Sequence, residues 1–97
     1  MTSRHYGLNR KQREQIIISI GGNGKELFRC VVDKGHPNGP EIHAVTDNGI
    51  IVIYNKRSGK LVTKLIARPA QLLRYGHRVP DKVLRKAQEH EYKCLNY

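Results

Sequence analysis

The chain has 97 residues, 38% of them hydrophobic and 27% charged, which predicts one globular domain with one small core. No apolar stretch approaches the roughly 20 residues that a membrane-spanning helix needs. The polar, basic N-terminus also lacks the apolar segment of a secretory signal. Two cysteines, Cys30 and Cys94, are too few for a disulfide framework or a four-cysteine zinc site. We therefore expect a cytoplasmic protein with a single domain, residues 1–97.

Positive charge is the strongest compositional signal, with a formal net charge of +10. Residues 54–86 carry ten basic side chains and one acidic side chain, Asp81, so most of the excess lies in one third of the chain. Such a charge attracts polyanions, which are nucleic acids, anionic membrane surfaces or acidic proteins. For a basic domain of this size we favour a nucleic acid.

The N-terminal third begins with residues 1–7, which we expect to be a flexible basic arm. Asn9 can cap a helix, and Gln12 has the spacing that completes a capping box. The β-branched residues 16–20 leave two alternatives open. One is a helix from Asn9 to about Ser19 followed by a strand; the other is a short helical turn followed by a hairpin across the glycines of residues 21–24. The sequence slightly favours the helix, because its apolar residues can form one stripe.

Strands are predicted on both sides of a loop rich in glycine and proline, residues 33–40. β-Branched residues, an Asn-Gly turn and a Ser-Gly hairpin indicate an antiparallel meander. The third strand is apolar on both faces and should be the most buried one. The predicted strands lie at about 27–33, 41–46, 49–55 and 60–68.

Two helices are predicted after the last strand. Pro69 suits the first position of a short helix that Gly76 ends, and a second helix should run over residues 80–93. The tail, residues 94–97, is expected to fray. The fold class is therefore α+β, with an N-terminal helix, a meander of three to four strands and a C-terminal helix.

Several common chemistries find no support in the sequence. The glycines of residues 21–24 lack the spacing and the Ser or Thr of a phosphate-binding P-loop. None of the five histidines is paired with cysteines at zinc-ligand spacing, and no acidic cluster suits magnesium. One phenylalanine and no tryptophan are too few for an aromatic RNA-stacking sheet. We therefore expect no cofactor and no metal ion.

A few single residues could carry chemistry without a metal. His43 follows the loop that holds His36, and histidine is the commonest general acid or base near neutral pH. Cleavage of RNA by its own 2′-hydroxyl needs such a group, a cation beside the phosphate and a surface for the backbone. Four side chains within eight residues could hold a phosphate and its ribose. They are two guanidinium groups, an amide and a phenol: Arg68, Gln71, Arg74 and Tyr75.

The order of these features resembles the barnase–EndoU–colicin–RelE group of small ribonucleases, which includes free-standing toxins and phage-encoded proteins. The resemblance spans about residues 27–75. It rests on the strand with His43, and on residues 58–63 (Ser-Gly-Lys-Leu-Val-Thr), which are similar to a hairpin-and-strand motif frequent in that group. It implies metal-independent RNA cleavage, with four residues around the scissile phosphate: His43, Thr63, Arg68 and Tyr75.

The geometry of a regular strand separates two of these residues. Alternate side chains point to opposite faces, so Thr63 and Arg68 share a site only if a bulge intervenes or if Arg68 already belongs to a loop. Lys64 and Arg68 do share a face, which suits a surface that binds without catalysis.

Two other functions remain open, a non-catalytic nucleic-acid-binding protein and an inhibitor, encoded by a mobile element, of an enzyme that handles nucleic acids. A ribonuclease toxin would act on tRNA or mRNA, and its partner would be an acidic antitoxin or immunity protein rather than a membrane. The residues predicted to bind nucleic acid are Lys56, Arg57, Lys60, Lys64, Gln71, Arg74, Arg78, Lys82 and Arg85.

Overall fold

The computed structural model describes residues 5–97, and it confirms the α+β fold class. An N-terminal helix precedes a four-stranded antiparallel sheet with the order β1-β2-β3-β4, and helices follow the last strand. The elements are α1 (Arg10–Ser19), β1 (Glu26–Val32), β2 (Glu41–Thr46), β3 (Ile50–Asn55), β4 (Leu61–Ile66), α2 (Pro69–Leu73), a short 3-10 turn (Gly76–Arg78) and α3 (Asp81–Leu95).

Helix α1 settles the alternatives for residues 16–20 in favour of the helix. The Asn9 side chain accepts a hydrogen bond from the Gln12 amide, and the Gln12 side chain accepts one from the Asn9 amide, each at 2.9 Å. This capping box satisfies two amides that a helix start otherwise leaves unpaired. Ile16 and Ile17 are buried, so the β-branched segment is stabilised as a helix by packing rather than by intrinsic propensity.

Strand register gives the sheet two distinct faces, and both are packed. Cys30 pairs with His43, His43 with Ile53, and Ile53 with Thr63, so these four residues form one row on one face, the His43 face. Ala44 lies next to His43 along β2 and therefore points to the other face, the α1 face. The central strands β2 and β3 are consequently the most buried ones, as the sequence predicts for residues 49–55.

Helices α2 and α3 cover the His43 face. Leu72 of α2 and Val83 of α3 are fully buried against Val45, Ile51 and Leu65 of the sheet. Phe28 and Tyr75 complete this cluster at its border. Because Pro69 turns the chain back over the sheet, residues that follow β4 return above the strands they have just left.

Helix α1 covers the opposite face, where Ile16 and Ile17 pack with Val52 and Ile66. The C-terminal end of α3 also reaches this cluster, because Cys94 is buried there. The helix ends at Leu95 rather than at residue 93, so the expected fraying of residues 94–97 is incorrect for Cys94 and Leu95.

The predicted arm, residues 1–7, lies partly outside the described residues. Within them, the amide of Leu8 donates to the carbonyl of His5, which closes a turn. Tyr6 lies against the α1-face cluster, and burial raises the pKa of its phenol to about 12. A flexible arm is therefore not what residues 5–7 form.

The end of the loop 33–40 is tied to the β3–β4 hairpin by hydrogen bonds. The Asn55 side chain donates to the Asn38 carbonyl at 2.9 Å, and the Lys56 amide donates to the Pro40 carbonyl at 3.0 Å. Gly39 has a φ of +87°, and a Cβ there would lie 2.6 Å from the Arg57 side chain. Only glycine fits this approach without displacing Arg57.

The β2–β3 turn links both helical layers. The Asn48 side chain donates to the carbonyls of Ile20 and Gly22 beyond α1, at 3.0 and 2.8 Å. On the other side, the His90 ring donates through Nε2 to the Asn48 carbonyl at 2.9 Å. The turn is thus a junction between α1, the sheet and α3.

This junction predicts a pH dependence of stability. Burial lowers the pKa of His90 below its ordinary value of 6.5, a larger effect than the opposing hydrogen bond to Asn48. The folded state therefore binds a proton at His90 less tightly than the unfolded state, so acidification below about pH 6.5 favours unfolding. We expect the free energy of unfolding to fall between pH 7 and 5 more steeply in the wild type than in His90→Gln. If urea titrations gave the same pH dependence of the free energy of unfolding for both proteins, this prediction would be contradicted.

Candidate functional site

A cleft of about 260 Å³ opens on the His43 face, between the loop-side end of the sheet and helix α2. Its floor is formed by β-strand side chains and its wall by residues of α2 and the turn after it. It is lined by Val32, Lys34, His43, Ile51, Leu65, Gln71, Arg74 and Tyr75. Four of the residues predicted for function, two catalytic and two binding, thus meet in one place: His43, Gln71, Arg74 and Tyr75.

His43 is the buried polar group of this cleft, with 8% of its surface exposed. Its Nε2 lies 3.1 Å from Oε1 of Glu41, two residues earlier on the same strand face. Since a carboxylate only accepts, Glu41 keeps the proton of the neutral ring on Nε2 and leaves the lone pair on Nδ1. The pair therefore presents an imidazole with a defined orientation and one basic nitrogen.

Cationic and amide groups line the same cleft as the imidazole. Lys34, from the loop after β1, and Arg74, at the end of α2, are exposed residues that line the cleft. The side-chain oxygen of Gln71 accepts from the Arg68 amide at 2.7 Å, which caps α2 and holds Gln71 in place. The cleft thus combines one basic nitrogen with two positive charges and is suited to an anionic ligand.

Tyr75 joins the cleft to the hydrophobic core. Its ring packs edge-on against Phe28, with 5.2 Å between the centroids. Burial raises the pKa of its phenol, an effect that the nearby Arg78 and Arg74 only partly oppose. Tyr75 is therefore a neutral phenol near pH 7, able to donate a hydrogen bond to a ligand in the cleft.

The structure does not bring Arg68 to this site. His43 is level with Thr63 in the sheet, and Arg68 lies five residues further, about 16 Å along the strand direction. The Arg68 guanidinium stacks over the Tyr6 ring at 3.8 Å and lies 3.8 Å from the Glu91 carboxylate. The prediction that Arg68 contacts the same phosphate as His43 therefore does not hold. The Arg68 side chain instead contacts Glu91 of α3 and Tyr6 of the N-terminal turn.

These contacts predict that Arg68→Ala acts on stability rather than on catalysis. Loss of the stacking on Tyr6 and of the ion pair with Glu91 should lower the free energy of unfolding by about 1–2 kcal/mol. Any RNA cleavage should stay within about threefold of wild type at a temperature where the variant is folded. Denaturant unfolding and an RNA cleavage assay measure the two effects. A hundredfold loss of cleavage in a folded variant would contradict this prediction and show that Arg68 acts in the site.

Thr63 shares the His43 face but not the cleft. Two strand spacings separate it from His43, about 10 Å, and Ile53 lies between them. Thr63 instead borders a second cavity, of about 240 Å³, between α1 and the edge strand β4. The irregularity in the β3–β4 pairing lies near Tyr54, before Thr63, so it does not bring Thr63 and Arg68 to one side.

The remaining predicted binding residues lie on three parts of the fold. Lys56, Arg57 and Lys60 belong to the β3–β4 hairpin, and Lys64 borders the cavity beside α1. The third part follows the cleft along the turn after α2 and the first turns of α3, with Arg78, Lys82 and Arg85. Its residues follow the cleft residue Arg74 directly along the chain.

Glu41 and Lys34 are site residues that sequence reasoning missed. The signal for Glu41 was its spacing of two residues from His43 within a predicted strand, which places both side chains on one face. Lys34 gave no such signal, because its position depends on how the loop 33–40 folds back.

In residues 5–97, no group of three or more histidine, cysteine or acidic side chains could hold a metal ion. Among the helices in that part of the chain, none has the length and hydrophobicity to cross a bilayer.

Comparisons with known proteins add no relative. No protein family, curated protein or solved structure matches this chain.

Proposed function

We propose that this protein is a metal-independent endoribonuclease of the toxin or phage type, which cleaves RNA by attack of a 2′-hydroxyl on the adjacent phosphate. The observation that carries the proposal is the pairing of His43 with Glu41 in a cleft that Lys34 and Arg74 also line. An oriented base beside two cations matches the groups this reaction requires.

In this reaction His43 acts on the proton of the nucleophile. Its Nδ1 accepts the 2′-hydroxyl proton while the 2′-oxygen attacks phosphorus, and the bond from phosphorus to the 5′-oxygen breaks. The 5′-oxygen leaves from the side of phosphorus opposite to the 2′-oxygen and takes its proton from solvent, and His43 then releases its own proton to solvent. The products are a 2′,3′-cyclic phosphate and a 5′-hydroxyl. Glu41 stabilises the imidazolium formed between the two steps.

The surrounding groups act on the phosphate. Arg74 and Lys34 stabilise the extra negative charge that the phosphorane develops, and Tyr75 donates a hydrogen bond to one of its oxygens. Gln71 can bind the ribose through its amide NH₂ group, since its oxygen already caps α2.

The proposal is tested with purified protein and total RNA or tRNA in the presence of EDTA. We expect cleavage that EDTA does not abolish, and none of an oligonucleotide of the same sequence with 2′-deoxyribose throughout. Cleavage of the deoxy oligonucleotide would exclude the 2′-hydroxyl as nucleophile.

Non-catalytic nucleic-acid binding is the second candidate, and the exposed basic residues outside the cleft, on the β3–β4 hairpin and from Arg78 to Arg85, favour it. Charge reversal on any of them would then weaken binding to a similar degree, and His43→Ala would bind normally. Salt-dependent RNA binding without cleavage at micromolar protein would contradict the nuclease and support non-catalytic binding.

The proposed nuclease activity also predicts where the protein acts and which partner it has. A ribonuclease acting on tRNA or mRNA works in the cytoplasm, and the cell that makes it needs an inhibitor. We expect that inhibitor to be an acidic antitoxin or immunity protein that covers the basic residues near the cleft, Arg74, Arg78, Lys82 and Arg85. Co-purification with an acidic protein that blocks cleavage would support this.

A further inference from the structure

A stack of three side chains stands beside the cleft. The Arg78 guanidinium carbon lies 4.8 Å from the centroid of the Phe28 ring and 5.6 Å from that of Tyr75. Nη1 of Arg78 also lies 3.6 Å from the sulfur of Cys30. These contacts hold the guanidinium of an otherwise exposed residue in place over the middle of β1.

The position of this stack relative to His43 is fixed by the sheet. Cys30 and His43 are directly paired across β1 and β2, so their Cα atoms are about 5 Å apart. Arg78 contacts Cys30, and Tyr75 belongs both to the stack and to the cleft wall. The distance between the Arg78 guanidinium and the His43 imidazole is therefore about the length of one nucleotide.

We infer that Arg78, backed by Phe28 and Tyr75, is a stacking site for one unpaired nucleobase of a single-stranded RNA. The guanidinium lies against the Phe28 and Tyr75 rings, and Arg78 is nevertheless an exposed residue that a ligand can reach. Guanidinium planes and aromatic rings are the groups on which proteins stack splayed RNA bases. A stacked base would place its own phosphate at the cleft, so the site selects RNA whose bases are not paired.

This inference deepens the proposed function and rests on it, but its test is independent of cleavage. The probe is a fluorescently labelled single strand with 2′-O-methyl ribose, which lacks the nucleophile and cannot be cut. A second probe of equal length carries the same backbone without bases. Affinities of both are measured by fluorescence anisotropy over a range of salt concentrations.

The decisive variant is Arg78→Lys, which keeps the charge but removes the planar group. We expect it to weaken binding of the base-bearing strand about five- to tenfold and to leave binding of the abasic strand unchanged. The dependence of affinity on salt should not change, because the number of cations is the same. Arg10→Lys, an exposed change at the start of α1 and outside the residues predicted to bind nucleic acid, is the matched control and should affect neither strand.

The possible outcomes separate the two claims. Equal losses on both strands, or no loss on either, would overturn the stacking site whether or not the protein cleaves RNA. Failure of the wild type to bind the base-bearing strand better than the abasic one would overturn it as well. The expected pattern in a protein that does not cleave RNA would support the stacking site and contradict the nuclease. Circular dichroism of Arg78→Lys verifies that the variant is folded.

Discussion

Replacement of His43 by alanine should reduce RNA cleavage by about 10²- to 10⁴-fold, the range expected when a general base is lost. His43 is the buried imidazole of the cleft, held by Glu41 at 3.1 Å, and no other histidine lines the cleft. The rate constant for cleavage of a short RNA substrate in EDTA measures the loss. RNA binding should change little, because His43 contributes to the chemical step rather than to the attraction of phosphates.

Two further variants separate catalysis from folding at this position. His43→Gln keeps an amide donor for Glu41, so it should fold normally and still be inactive. His36→Ala alters an exposed residue of the loop 33–40 and should retain full cleavage. An active His43→Gln, or equal losses in the His36 and His43 variants, would show that the imidazole is not the base.

Replacement of Arg74 by alanine should reduce cleavage about 100-fold, the loss typical for a group that stabilises transition-state charge. Arg74 lines the cleft at the end of α2, and its guanidinium can bind two phosphate oxygens at once. Arg74→Lys should recover only part of the rate, because an ammonium group cannot bind in that bidentate way. The loss should appear in kcat rather than in KM if the contact forms mainly in the transition state.

The matched control is Lys82→Ala, which removes one positive charge from the first turn of α3. Both variants lower the net charge by one, so a loss due to weaker overall attraction of RNA should be equal in the two. A loss that is confined to Arg74→Ala assigns the effect to the cleft. Equal losses, with a change in KM alone, would indicate a binding surface without a catalytic cation.

Most of the fold could be predicted from local signals in the sequence. The Asn9–Gln12 capping box, the Asn-Gly turn before β3 and the Ser-Gly hairpin after it each dictate a local backbone conformation. The ambiguity over residues 16–20 could not be resolved in that way, because β-branched residues favour a strand unless packing favours a helix. The burial of Ile16 and Ile17 against the sheet is a long-range effect, invisible from local sequence.

The site could be predicted only in part, because its residues converge through the turn at Pro69. Sequence proximity grouped Arg68 with Gln71, Arg74 and Tyr75, and a helix start was expected there. The chain reverses at this point, so Arg68 stays at the far end of the sheet with Tyr6 and Glu91 while the other three return above His43. Strand β4 ends at Ile66, so Arg68 lies in the loop before α2, and distance along the chain rather than strand alternation separates it from Thr63.

The most direct test of the account is the chemistry of the RNA ends that the wild-type protein generates in EDTA. Mass spectrometry of a cleaved oligoribonucleotide should show 2′,3′-cyclic phosphate on one fragment and 5′-hydroxyl on the other, and His43→Ala should yield neither. A 5′-phosphate with a 3′-hydroxyl, or the same ends from His43→Ala, would contradict attack by the 2′-hydroxyl with His43 as the base.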